Sequence, residues 1–398
     1  MMRVQNFLGR FLIWGGLIIL FAGQLAAQEA AGQWISSAAY AFGQSVTFEL
    51  VGETAVSLAE ADLIFQVPGI TNPVSVPVPV SEMSDNQLFL QKSITPASLK
   101  LAPFVTITYW WELTLVDGSV INVPAQSLFY EDDRLAWQSL DEDGGHVYWT
   151  GNDLDLGRVG LQILQDSRRR LETVLTLDEA VPVHLYIYPS SADLRAAFRL
   201  NGLDWAGDMT DPPLPVLLVT AVNSRTAATD LQQSIPYALT RFWLSQQTGD
   251  HYGDVPLWLR EGLAAGMAPG GKVTMEGVLE TAVNNQSTIS FTQLCHDFPT
   301  SGIHSATAVA QSVDFVQYLQ TQFGSQTVQD LVNVYADGQD CLIGVNHVVG
   351  KSLSMLNQDW LQTVRSYPLI VQFMIDNGVW FLLILFMIFI MGFLVWKI

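Results

Sequence analysis

The chain has 398 residues, of which 49% are apolar and only 14% charged, and its formal net charge is −20. That composition excludes a disordered or collagen-like chain, and the length exceeds what one ordinary core uses, so two domains with additional segments are expected. Setting aside residues 1–27 and 367–398 leaves a body near −22, which repels phosphate backbones and carries no basic stripe, so no nucleic-acid partner is expected.

The N-terminus reads Arg3, Arg10, an apolar stretch from Phe11 to Ala22, then Gln24-Leu25-Ala26-Ala27-Gln28. A basic opening, a short apolar centre and small residues before a polar start describe a secretory signal over 1–27, with an uncleaved signal anchor as the alternative. From Gln44 to Tyr130 the text is short β-type runs broken by turn residues: Val46–Val51, Asp62–Val67, Gln87–Leu90, Phe104–Leu115, Val120–Val123 and Ser127–Tyr130. Asp117-Gly118 between two such runs spells a hairpin, and the spacing predicts a β-sandwich domain over 33–132.

Past the polar junction Glu131-Asp132-Asp133-Arg134 the pattern changes, and an α+β domain is expected over 133–366. The strand His146–Trp149 leads to a helix from Leu156 to Leu175, with Val159, Ile163, Leu164 and Leu171 at helical period. A strand over Val183–Tyr188, a helix Asp193–Leu200 capped by Ser191, and a strand Val216–Thr220 follow. The rest reads as helical: Leu231–Gln247, Trp258–Met267, then segments around Ala308–Phe323, Thr327–Tyr335 and Leu356–Val364. Finally, Gly378 to Trp396 runs 19 residues without charge or proline, about 28 Å as a helix and long enough for a hydrocarbon core. Trp380 and Trp396 lie near its ends, with Asp376 before it and Lys397 after it. The positive-inside rule therefore predicts one transmembrane helix over 378–396, the body extracytoplasmic and the C-terminus cytoplasmic.

Cys295 and Cys341 are the two cysteines. In an exported body without CxxC or Cys/His clusters a disulfide between them is expected, two buried thiols being the alternative. Catalytic spellings fail one by one: there is no G-x-S-x-G elbow, Walker A loop or dinucleotide fingerprint. The histidines His146, His184, His251, His296, His304 and His347 are scattered, none at i, i+4 from another. Asp250–Asp254 reads as a turn between helices, Asp141-Glu142-Asp143 as an exposed acidic loop, and Arg168-Arg169-Arg170 as a solvated helix face.

One segment is more specific. Leu239-Thr240, followed by Gln246-Gln247-Thr248-Gly249-Asp250-His251-Tyr252-Gly253-Asp254-Val255-Pro256-Leu257-Trp258-Leu259-Arg260-Glu261-Gly262-Leu263-Ala264, resembles the peptidase MA-like family, zincin metallopeptidases of the gluzincin type. In that family the first helix spells His-Glu-Leu-Thr-His and the second opens with Trp-Leu-x-Glu-Gly-Leu-Ala, its Glu being the third zinc ligand. The resemblance extends over roughly Phe42 to Val364, through Tyr186-Ile187-Tyr188-Pro189 and Ala336–Cys341. Registering Leu239-Thr240 puts Tyr237 at the first His, Ala238 at the Glu and Arg241 at the second His. Glu261 then falls 20 residues after Arg241, the gluzincin spacing for the third ligand.

The resemblance implies a zincin fold; the residues imply lost chemistry. Tyr237 is a poor ligand, Ala238 cannot act as general base, and the permanent charge of Arg241 repels a metal. The expectation is a membrane-anchored pseudoenzyme without catalytic or metal-binding residues, whose vestigial cleft of Tyr237, Ala238, Arg241 and Glu261 binds peptides or partner proteins. The alternative is a live zinc peptidase with relocated ligands, Glu261 with His251 or His304. Within the cleft, Arg241 is expected to pair with Glu261 and Tyr237 to donate a hydroxyl beside them.

Overall fold

The computed structural model describes residues 34–364, apart from 55, 69–71, 81–86, 143, 179, 204–213 and 301, together with Gly378. The expected signal over 1–27 and, but for its first residue, the expected transmembrane helix lie outside the described residues. No helix among the described residues is long and apolar enough to cross a membrane. The chain is mixed α+β and divides into two compact units. The first takes residues up to Gln138 with Thr150–Asn152 and Tyr188–Val216; the second takes Ser139–Trp149, Asp153–Ile187 and residues from Leu217 onward.

The first unit holds two sheets. One is ordered β1-β2-β5, from β1 (Ile35–Ala41), β2 (Ser45–Glu53) and β5 (Gln87–Ile94). The other is ordered β4-β3-β6-β7, from β3 (Leu58–Gln66), β4 (Val74–Pro77), β6 (Val105–Leu115) and β7 (Val120–Tyr130). The pairings β1/β2, β2/β5, β3/β4, β3/β6 and β6/β7 are antiparallel. Alternation along β2 and β6 puts Phe48, Leu50, Tyr109, Trp111 and Leu113 inside, and Phe48 faces Tyr109 and Phe65 across the two sheets at ring-centroid distances of 4.8 and 6.1 Å. One turn of helix, α1 (Pro96–Leu99), links β5 to β6.

The hairpin at Asp117-Gly118 is present, but β7 is one strand where two runs were expected. Pro124 is tolerated because the register slips between Tyr109 and Trp111, a bulge at which no ladder donor is needed. The strands β1 and β4 were not expected. β1 is poor in β-branched residues, and β4 is a four-residue strand ending in Pro77. The polar junction 131–134 is partly built into the fold. Asp132 is fully buried, gripped by Arg134 Nε at 2.7 Å and Nη2 at 2.5 Å, and it accepts the Tyr188 hydroxyl at 2.9 Å; a buried carboxylate needs this saturation.

The second unit has the sheet β11-β10-β9-β8, built from β8 (Trp137–Glu142), β9 (Gly145–Thr150), β10 (Val183–Tyr188) and β11 (Leu217–Thr220), with β9 and β10 parallel. Asp141 and Glu142 thus belong to a strand rather than to the expected acidic loop. Val147, Trp149, Leu185, Ile187 and Val219 point into a core shared with α2 (Leu154–Leu171) and α4 (Ser224–Thr248). Gly157 and Gly160 let α2 lie close to the sheet: a Cβ there would meet the Trp149 ring at 2.4 Å and Ile187 at 2.7 Å. Between β10 and β11 runs α3 (Ser191–Arg199). Its cap is Ser190, whose hydroxyl accepts the Asp193 N–H at 3.1 Å, rather than the expected Ser191; Ser190 has the extended backbone a cap requires.

The helix α4 starts at Ser224, well before the expected Leu231, because Asn223 accepts two backbone N–H groups. After it come α5 (Leu257–Gly266), α6 (Gly271–Asn284), α7 (Gly302–Phe323), α8 (Thr327–Ala336), α9 (Cys341–Val349) and α10 (Leu353–Val364). Neither α6 nor α9 was expected. Trp258, Phe291, Phe315 and Trp360 interlock among these helices, with Phe291–Phe315 centroids 3.8 Å apart.

Candidate functional site

The residues expected to form the vestigial cleft lie on α4, α5 and the tight turn between them. Tyr237 and Arg241 stand one helical turn apart on α4, hence on one face. Pro236 removes one backbone donor from the helix just before Tyr237, while Thr240 returns its hydroxyl to the Pro236 carbonyl at 2.7 Å. The helix closes at Gly249, whose φ of +53° suits glycine, and the 3₁₀ turn Gly249–Asp254 brings Tyr252 back under α4. Then α5 presents Arg260 and Glu261.

These five side chains converge. The Tyr237 hydroxyl donates to the Glu261 carboxylate. Arg241 Nε donates to the Tyr252 hydroxyl at 3.2 Å. Arg260 Nε lies 3.8 Å from Glu261 Oε1, and its guanidinium sits 4.8 Å from the centre of the Tyr252 ring. Arg241, Tyr252 and Arg260 are buried, at 7%, 3% and 5% exposure, and the Glu261 side chain is 16% exposed. Burial raises the Tyr237 hydroxyl well above its usual range, and the neighbouring Glu261 carboxylate adds to the shift, so Tyr237 is a neutral donor. Burial by itself would lower Arg241; Tyr252 and the Glu261 carboxylate outweigh it and hold the guanidinium charged.

The structure therefore brings Tyr237, Arg241 and Glu261 into one cluster, and it adds Tyr252 and Arg260, which sequence reasoning missed. Tyr252 lay in a segment read only as a turn. Arg260 stood beside Glu261 in the motif but carried no role there. Ala238 is half-buried and packs against the core. His251 is exposed and paired with Asp254 at 2.8 Å, and His304 is exposed on α7. Among the described residues no three His, Cys, Asp or Glu side chains come together as a metal-binding group. Elsewhere in the unit, Cys295 and Cys341 form the expected disulfide, and the arginine triplet is engaged locally, Arg168 with Glu172 and Arg169 with Asp166.

No curated protein matches the chain. Solved structures similar to it include an aminopeptidase N family protein from Idiomarina loihiensis, 8% identical with a TM-score of 0.38, covering 85% of this chain and 77% of that one. A purple acid phosphatase from yellow lupin (Lupinus luteus) seeds is 11% identical with a TM-score of 0.22, covering 53% of this chain and 40% of that one. A family 56 carbohydrate-binding module, a β-1,3-glucan binding domain, is 16% identical with a TM-score of 0.16, covering 24% of this chain and 98% of that one. The Peptidase MA superfamily model matches residues 164–366, which contain the whole α4–α5 cluster and make up just over half of the sequence. The chain belongs to the Peptidase MA superfamily.

Proposed function

We propose that this protein is a membrane-anchored, extracytoplasmic pseudoenzyme of its superfamily, with a zincin-like second unit that binds peptides or partner proteins rather than hydrolysing them with zinc. One observation carries the reading: the carboxylate that would complete a zinc site accepts the Tyr237 hydroxyl and stands 3.8 Å from a buried guanidinium. A dication at Glu261 would face Arg260 and Arg241 in a medium of low dielectric, where like-charge repulsion is strong. The residues present do not fit zinc. What remains is a buried polar cluster, and β11, which packs against α4 and stands at the edge of its sheet among the described residues, is the edge to which an extended peptide would add. Anchoring rests on the charge-free run Gly378–Trp396.

Metal analysis and peptidase assays on chelator-free protein, run beside Glu261→Gln, test the reading. Expected are no Glu261-dependent zinc, no hydrolysis, and retention in the membrane fraction. Stoichiometric zinc lost on Glu261→Gln, together with peptide cleavage, overturns it.

A further inference from the structure

A cavity of about 310 Å³ opens among α6, α7 and α10, and none of Tyr237, Arg241, Tyr252, Arg260 and Glu261 lines it. That volume is at the small end for ligand pockets, which run upward from about 300 Å³, and suits one side chain rather than a whole cofactor. Its walls have two characters. Leu279, Ala310 and Val313, all buried, and the half-buried Met275 give an apolar surface. Glu276 and Glu280 on α6 and Asp314 on α7 line the same space.

The polar wall is set up for a cation. Glu276 and Glu280 stand four residues apart on α6, a spacing at which like charges repel, and neither makes an ion pair or hydrogen bond with a described residue. Asp314 is held in place: its Oδ1 accepts the Nε1–H of the fully buried Trp360 at 2.7 Å, which leaves Oδ2 for another donor. Neither α7 nor α10 contains a lysine or arginine to offset the three acids, and the whole chain, at −20, is short of positive charge. A ligand complementary to both walls has an aliphatic stem and a positive head, the build of an arginine or lysine side chain. We infer that this cavity receives a basic side chain of a peptide partner, its stem along Leu279 and Val313 and its head among Glu276, Glu280 and Asp314. The inference rests on the reading of the protein as a peptide or protein binder, and it adds the charge that the partner carries.

Calorimetric titration of the full chain with acetyl-Gly-Gly-Arg-Gly-Gly-amide, and with the same peptide carrying neutral citrulline for arginine, tests the site. The arginine peptide is expected to bind about 10-fold more tightly, the worth of charge-assisted hydrogen bonds, with the gap narrowing as salt is added. Glu276→Gln/Glu280→Gln removes a repulsion and so keeps the fold, while Asp314→Asn keeps the acceptor for Trp360. Each should weaken arginine binding about 5–10-fold and leave citrulline binding alone. Glu60→Gln, at an exposed position on β3 in the first unit, should change neither. Equal affinity for the two peptides, an undiminished preference in both cavity variants, or an equal loss in Glu60→Gln overturns the inference. So does binding that emerges only in Arg365→Ala, which would make the residue following Val364 the occupant. Equal affinity leaves the peptide-binding reading standing, because a peptide added to β11 through backbone groups binds with either side chain; binding of neither peptide overturns both.

Discussion

The Glu261 side chain sits with 16% exposure among Tyr237, Arg241, Tyr252 and Arg260, and its neighbours supply what water no longer does. Arg241→Ala removes a buried charge that this carboxylate holds and takes one hydrogen-bond donor from the Tyr252 hydroxyl. The expected loss is about 3 kcal/mol of stability, read as a lower urea midpoint at unchanged slope. Adding Glu261→Gln should recover part of it, because the orphaned charge goes too; a double variant worse than the sum of the two singles would rule this electrostatic account out. Tyr237→Phe tests the hydroxyl alone. It deletes one hydrogen bond to a carboxylate, worth about 2 kcal/mol, with the ring still in place.

Among the elements, α5 and α7 approach so closely that glycine is required between them. A Cβ on Gly262 would stand 2.5 Å from the Ser312 carbonyl oxygen, a backbone atom that cannot move aside. Gly262→Ala is therefore expected to destabilise by about 2 kcal/mol or more, measured by thermal unfolding. This gives the Glu-Gly step of the motif a packing reason beside any catalytic one. The Cys295–Cys341 disulfide ties the start of α9 to the 3₁₀ turn Gln293–Cys295 across 46 positions. Closing a loop of that size stabilises by about 4 kcal/mol on the chain-entropy model. Reduction should lower the unfolding temperature, and thiol labelling of the unreduced, denatured protein should find none. On β10, burial and then the proximity of His146 lower the His184 pKa, a shift with a definite sign. The folded chain binds fewer protons than the unfolded one below the ordinary histidine pKa of about 6.5, so stability falls as pH drops through that value. His184→Gln should flatten the dependence of the urea midpoint between pH 7.5 and 5.5; an equal slope in both proteins would assign it to other groups.

At the scale of the molecule, chain order and spatial units differ. Tyr188–Val216 comes after β8, β9 and nearly all of β10 in the chain yet belongs to the first unit. There Asn201, fully buried, accepts the Tyr130 hydroxyl at 2.7 Å, and that hydroxyl accepts the Gly43 N–H at 2.8 Å. Burial pushes Tyr130 up to about 12, so its folded form keeps a proton that the unfolded chain loses above about pH 10. Stability from this group is full below that pH and is lost between 10 and 12. Tyr130→Phe should remove this alkaline limb and cost about 1–3 kcal/mol at neutral pH by stranding Asn201 and Gly43. A chain spanning 28–364 should enter the aqueous phase on detergent partitioning, and its persistence with membranes would count against the anchor.

Local chemistry is written in short windows, and there the sequence sufficed. Alternation in Phe104–Leu115, the Asp117-Gly118 turn, the helical period after Leu156 and the Trp258–Ala264 motif each depend on neighbours a few positions away, so β6, α2 and α5 were legible. So was the shared helix face of Tyr237 and Arg241, since i, i+4 fixes a face wherever the helix packs. Pairings between distant segments were decided by the tertiary structure. Asp132 read only as part of a polar junction until Tyr188 and Arg134 closed on it; Tyr252 and Arg260 acquired their role only when the turn folded back beneath α4. His146 and His184 lie 38 positions apart in sequence and become neighbours only through the register of two parallel strands. Sequence spacing sets which side chains share a face of one element, whereas the burial of apolar surface between elements chooses which faces meet.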